Sequence, residues 1–238
     1  MKRLAVITLL GCWPLAAAQD AVLCVLFDLS QSAQKVRDGY QSDFEKLADR
    51  LTGGEFILGA GITAHSLATG RFEIDNQIPK YSPFIDSKLT FRKKLLGART
   101  VVKQEARTLL QEPATPTTDL LGAMQLAEKA FQAEAAASAK VRMLVIFSDM
   151  IEESARYNFV KENLTQSRRV AILETERKAG RLPALQGVQV WVAGAGGNTP
   201  DKYLQIQSFW IEYFRAASAD LRKSRYGAGL MDFSIPHP

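Results

Sequence analysis

The stretch that most constrains this chain is Val22–Ser32, VLCVLFDLSQS, an unbroken apolar run that stops at a carboxylate and then carries two hydroxyls at alternate positions. Its β-branched and aromatic content predicts a strand from Val22 to Phe27 buried on both faces, as strands of parallel sheets are. Asp28, Ser30 and Ser32 then fall in the turn where the strand hands over to a helix. Ligand sites of open α/β sheets form outside the carboxyl ends of the strands, so these oxygens stand where binding or chemistry usually takes place. One carboxylate with two hydroxyls is an all-oxygen set, suited to a hard cation such as Mg²⁺ or Mn²⁺ rather than zinc. Alone, the same pattern also describes a Ser/Asp-rich turn that caps the next helix. A calcium loop of the EF-hand type is excluded, because Ala33 stands at its glycine position and Gly39 at its closing glutamate.

Helical spacing of Val36, Tyr40, Phe44, Leu47 and Leu51 predicts a helix from Gln31 to Leu51, ended by Thr52-Gly53-Gly54. Phe56–Thr63 reads as a second strand, in which Gly59 and Gly61 suggest a bulge or close backbone approach. Arg71–Asp75 alternates and is expected as an edge strand after the turn Ala68-Thr69-Gly70. A proline-bearing loop, Asn76–Asp86, leads to a long basic helix from about Ser87 to Gln111, whose charges read as a solvated face or, in the rival reading, a surface for an acidic partner. The loop EPATPTT follows, and Asp119 opens a helix with Leu120, Met124, Ala127 and Phe131 on one face. Val141–Phe147 is another near-continuous apolar strand, and it too ends in a hydroxyl and a carboxylate, Ser148-Asp149. A helix from Gln166 to Gly180, a strand from Val188 to Val192, a tight turn at Gly194–Gly197, a helix from Asp201 to Lys223 and a short last strand at Leu230–Ile235 complete the expectation. The glycine turn lacks the third glycine of a dinucleotide fingerprint, since Thr199 stands there. This alternation predicts an α/β fold: a doubly wound, mostly parallel central sheet flanked by helices, with both aspartates on one rim.

The chain has 238 residues, 47% hydrophobic and 23% charged, enough for one sizeable core. Lys2-Arg3, the apolar run Leu4–Leu10, Pro14 and the triplet Ala16-Ala17-Ala18 read as an export signal cleaved after Ala18, leaving residues 19–238 as one domain, periplasmic or secreted. Leu9-Leu10-Gly11-Cys12 offers a rival, a lipobox that would leave a membrane-anchored lipoprotein with its lipid on Cys12. No later apolar run is long enough for a transmembrane helix. Without Lys2 and Arg3 the net charge is about +3, too mild to argue for nucleic acid. Cys24, inside the first strand, reads as a buried apolar filler.

The three loops together resemble the metal-ion-dependent adhesion site of the von Willebrand factor type A family. Its Asp-x-Ser-x-Ser loop is met by Asp28, Ser30 and Ser32, its threonine ahead of a helix by Thr118 in TDLLGAM, and its aspartate after the fourth strand by Asp149. Leu29, Gln31 and Met150 replace glycines common in the family's first and third loops. The resemblance implies that Ser30 and Ser32 bind Mg²⁺ (or Mn²⁺ or Ca²⁺) directly, with Thr118 direct or through water and Asp28 and Asp149 completing the shell. It further implies that the cation's remaining position takes an acidic residue of a protein partner, an interaction device with no catalytic residue. Two alternatives stay open. The same cluster would serve a metal-dependent hydrolase, but only His65 and His237 are present and no general base is apparent beside the oxygens. A metal-free scaffold of the same fold is the other.

Overall fold

The computed structural model describes residues 21–133, 136, 139–231 and 233–235. The expected cleavage after Ala18, the lipobox cysteine Cys12 and His237 lie outside the described residues.

Six strands form one sheet in the order β3-β2-β1-β4-β5-β6, with β1 Ala21–Asp28, β2 Glu55–Ile62, β3 Ile74–Gln77, β4 Val141–Phe147, β5 Gln189–Ala193 and β6 Asp220–Gly227. Only β3 runs antiparallel, against β2. The chain winds outward from β1 through β2 to β3, then returns to β4 beside β1 and winds the other way, so the switch lies between the two apolar strands the sequence singled out. β1 is buried along its whole length, which is why it shows no polar alternation. Val22, Cys24 and Leu26 face a core shared with α4 Leu120–Gln132, α5 Gln166–Lys178 and α6 Pro200–Ala216. Leu23, Val25 and Phe27 face the other core, shared with α1 Arg37–Ala48 and α3 Lys88–Leu110, while α2 Ser66–Thr69 is a single turn after β2. Burial holds the Cys24 thiol well above its ordinary pKa, as suits an inert filler. Among the described residues no helix is long and apolar enough to cross a membrane.

Ser87 and Asp119 cap α3 and α4 with their side chains, accepting from the N–H groups of Thr90 and Gly122. Both glycines of β2 mark close approach, and the register with β1 is continuous, so there is no bulge. A Cβ on Gly59 would meet the Ile74 side chain, and one on Gly61 would lie 2.5 Å from a Leu29 methyl.

Four expectations shift. α1 starts later, after a 3₁₀ turn at Gln34–Val36, and the edge strand is Ile74–Gln77 rather than Arg71–Asp75. The last helix stops at Ala216, and Asp220–Gly227 is strand β6 instead of helix. Its buried residues Leu221 and Tyr226 are five apart, an odd spacing that a regular strand cannot place on one face. A register irregularity opposite Val190 and Val192 absorbs the mismatch and hides the strand from any period-two reading. Among the described residues of the stretch 230–235 no strand forms; Phe233 packs its ring edge-on against Trp191 instead.

Candidate functional site

Adjacent parallel strands β1 and β4 end on the same rim, and their ends carry Asp28 and Asp149. Asp28 is fully buried. Its Oδ1 accepts from the Ser30 N–H at 2.8 Å and its Oδ2 from the Ser148 hydroxyl at 2.6 Å, so one carboxylate ties both loops together. Ser148 in turn accepts from the Met150 N–H at 2.9 Å, and Asp149 Oδ1 accepts from the Ile151 N–H at 2.9 Å. The Asp149 Oδ2 is left to the Ser32 hydroxyl at 3.0 Å, and the Ser32 and Ser30 oxygens are themselves 3.0 Å apart.

The third loop is stitched in by backbone. Thr118 exchanges both of its peptide hydrogen bonds with Glu153, the Thr115 N–H donates to the Leu29 carbonyl, and the Gln31 N–H donates to the Thr115 carbonyl. Thr118, 3% exposed, is thereby held against the loop that follows β4, while the first loop is held against Thr115. The five predicted residues thus lie on three loops cross-linked at one rim. No group of three or more His, Cys, Asp or Glu side chains suited to a metal occurs among the described residues. This set has two carboxylates, and its other donors are hydroxyls.

The residues at glycine positions are accommodated individually. Leu29 is buried in the space that Gly61 leaves open on β2. Met150 takes the left-handed backbone a glycine would favour, φ 64°, at a cost of about 1–2 kcal/mol. Its buried side chain and a 2.8 Å bond from the Trp210 indole N–H to its carbonyl hold it there.

Several supporting residues carried no sequence signal. Arg37, 8% exposed, donates to the carbonyls of Leu29 at 2.6 Å, Leu110 at 3.0 Å and Glu112 at 2.7 Å, joining the first loop to the end of α3. The glycine turn after β5 is built into this rim. Gly194, at φ 95°, makes room for the Tyr40 ring, and the Gly196 N–H donates to the Asp149 carbonyl at 3.1 Å.

Burial pushes the Asp28 carboxyl up, against the bonds from Ser148 and Ser30 and the charge of Arg37. Asp149 is pushed up to about 6 by burial and then by the charge of Asp28. Two desolvated carboxylates therefore repel across this rim, and the guanidinium nearest them spends its bonds on carbonyls.

Glu152 has a different task. Fully buried, it accepts from the Leu121 N–H at 3.0 Å at the start of α4, and burial raises it from 4.5 to about 7. An acid raised on folding takes up protons, so its unfavourable contribution grows as pH rises from about 4.5 to about 7. Glu152→Gln keeps an acceptor for Leu121 and is expected to match the parent in stability at about pH 4 but exceed it by up to about 3 kcal/mol at about pH 8. Denaturant unfolding at the two pH values checks this; an equal difference at both would show that the charge is not the cause.

No protein-family model and no curated relative matches this sequence. Solved structures are similar to it in fold. The PilB minor pilin from Streptococcus sanguinis is 12% identical, with a TM-score of 0.51 over 88% of this chain and 57% of that one. Looser similarities are to a von Willebrand factor type A protein from Catenulispora acidiphila and to a manganese-loaded Plasmodium vivax TRAP protein. The first is 14% identical, with a TM-score of 0.46 over 84% of this chain and 43% of that one. The second is 12% identical, with a TM-score of 0.43 over 90% and 70%. The chain spans roughly half the length of the first and second of these three structures. The similarity is one of fold: a mostly parallel central sheet flanked by helices, shared with the PilB minor pilin.

Proposed function

We propose that the domain is a non-enzymatic protein-binding module, exported from the cytosol, that holds a divalent cation on this rim and contacts an acidic residue of its partner through it. The observation that carries the reading is the oxygen spacing. Ser30 Oγ to Ser32 Oγ and Ser32 Oγ to Asp149 Oδ2 are both 3.0 Å. Neighbouring ligands of an octahedral Mg²⁺, each about 2.1 Å from the ion, are about 3.0 Å apart. The donor set fits in kind as well. Ser30, Ser32 and Thr118 would supply neutral oxygens, and Asp149 a carboxylate. Asp28, with both oxygens already bonded, would act through water and hold the loops. Mg²⁺ is the first candidate, with Mn²⁺ or Ca²⁺ as substitutes. When bound, the ion would supply a positive charge to two carboxylates that otherwise repel, and an electrophilic face for an incoming carboxylate.

Among the described residues no histidine supports the hydrolase reading. His65 is exposed and lines a cavity of about 300 Å³ with Asp119, Gln125, Arg156 and Arg181.

Titration calorimetry with Mg²⁺ tests the proposal on the parent chain, on Thr118→Ala and on the basic-helix variant Lys93→Ala. Thr118→Ala is expected to weaken the cation about tenfold and to change stability by less than about 1 kcal/mol, because its loop is held by backbone bonds. Lys93→Ala should bind the ion as the parent does. Equal affinity in the parent and Thr118→Ala, or no heat at all with Mg²⁺, would overturn the metal-centred reading.

A further inference from the structure

The opposite pole of the molecule carries a second feature that the cation site does not explain. Phe84 is 98% exposed and Ile85 83%, at the tip of the loop before α3, and Leu89 and Leu96 on α3 are each 65% exposed. The helix has two unlike faces. Phe91, Leu95, Ala98 and Val102, spaced at three and four residues, turn toward the core, where Val102 is fully buried. Leu89 and Leu96, two turns apart, share the outer face, and Arg92 and Lys93 flank the line between them on either side, with Lys88 one residue away. The side chains of Lys88, Arg92 and Lys93 have no ion pair or hydrogen-bond partner among the described residues, whereas Lys94, Lys103 and Arg107 are paired with Asp86, Asp49 and Glu45. On α3 the cations without a partner among the described residues are thus the ones that border the apolar tip.

The topology settles which way this face points. Gly53 lies against the Pro79 carbonyl and the Phe91 ring, and the Gly54 N–H donates to Ile78. The loop and the first turns of α3 therefore sit beside the start of β2, where Glu55 pairs with Ala21. β1 begins at this same Ala21. The aspartates stand at the far ends of the strands.

We propose that the Phe84-Ile85 tip and the outer face of α3 form a docking surface for a membrane carrying anionic phospholipid. An apolar wedge bordered by unpaired Lys and Arg is the arrangement by which peripheral helices seat in the headgroup region. The charge complementarity favours this occupant over an acidic protein, because Lys88, Arg92 and Lys93 border an exposed apolar wedge of Phe84, Ile85 and Leu89. The cation site would then face away from the bilayer, toward a partner.

The test is co-sedimentation of the full chain with phosphatidylcholine vesicles, with and without about 30% phosphatidylglycerol, enough to give the surface a negative potential. The variants are Phe84→Ser/Ile85→Ser/Leu89→Ser and Lys88→Gln/Arg92→Gln/Lys93→Gln, all at exposed positions and all sharing the parent's leading segment. The parent is expected to bind the anionic vesicles, more weakly as salt is raised, and the charge variant to lose about 100-fold in partitioning. The apolar variant should lose at least about tenfold. The proposal is overturned if both variants partition as the parent does, since the leading segment alone would then account for binding. It is also overturned if vesicles are ignored while soluble polyglutamate binds and is lost in the charge variant, which would mark an acidic-protein site. A parent that sediments as a dimer, becomes monomeric in the apolar variant and ignores vesicles would overturn it in favour of a second copy on this face.

Discussion

Asp149→Asn is expected to abolish Mg²⁺ binding, a loss of at least about 100-fold and larger than the roughly 10–100-fold typical of groups that only support a ligand. The same change should leave the chain at least as stable as the parent in chelator. The amide keeps an oxygen for the Ile151 N–H and can donate to Ser32, so geometry is preserved while the charge beside buried Asp28 disappears. The two effects have opposite signs, which makes the variant diagnostic. The parent should gain stability with added Mg²⁺, about 2.7 kcal/mol when the ion is at a hundred times its dissociation constant. The variant should gain none. Thermal unfolding of both proteins, with Mg²⁺ and with chelator, separates the possibilities. If the variant is strongly destabilised in chelator, Asp149 is a structural acceptor and the repulsion argument fails.

Trp210 is where a core change should reach the rim. Fully buried among Phe159, Phe209, Tyr213 and Phe214, it also donates to the Met150 carbonyl, one residue past Asp149. Trp210→Ala is expected to cost about 4 kcal/mol through lost contacts and the cavity left behind. Trp210→Phe keeps most of the packing but strands a buried carbonyl, for about 1–3 kcal/mol. Because that carbonyl belongs to a residue in the left-handed region, Trp210→Phe should also weaken Mg²⁺ about tenfold by loosening the third loop. Denaturant unfolding combined with calorimetry measures both. A variant that loses stability yet binds Mg²⁺ as the parent does would show that the loop holds its own conformation.

The parts of the fold legible in the sequence were those with dense, unambiguous signals. Val22–Phe27 is buried throughout and Val141–Phe147 from Met143 onward, so the first apolar run was uninterrupted and the second broken only by Arg142, and the carboxylates that follow were visible as breaks. Ser87 and Asp119 announced helix starts by capping chemistry that acts within three residues. What stayed hidden depends on distant partners. Asp220–Gly227 is an edge strand whose spacing is broken by a register irregularity. Ser148 reads as any serine after a strand, and only the neighbouring strand reveals it as the bridge to Asp28. Tolerance of Leu29 and Met150 at glycine positions was equally illegible, since it rests on Gly61 across the sheet and Trp210 on another helix.

The Arg37 staple limits how this chain can vary in length. One guanidinium grips carbonyls on both sides of a turn, Leu29 on one and Leu110 and Glu112 on the other, while Leu29 and Thr115 are already bonded. The stretches from 29 to 37 and from 110 to 115 therefore have no slack: an added or deleted residue in either would draw the arginine off its carbonyls and carry the serine loop out of register with Thr115. The loop at 79–86 lies at the far pole, so a change of length there would leave the carbonyl bonds of Arg37 in place.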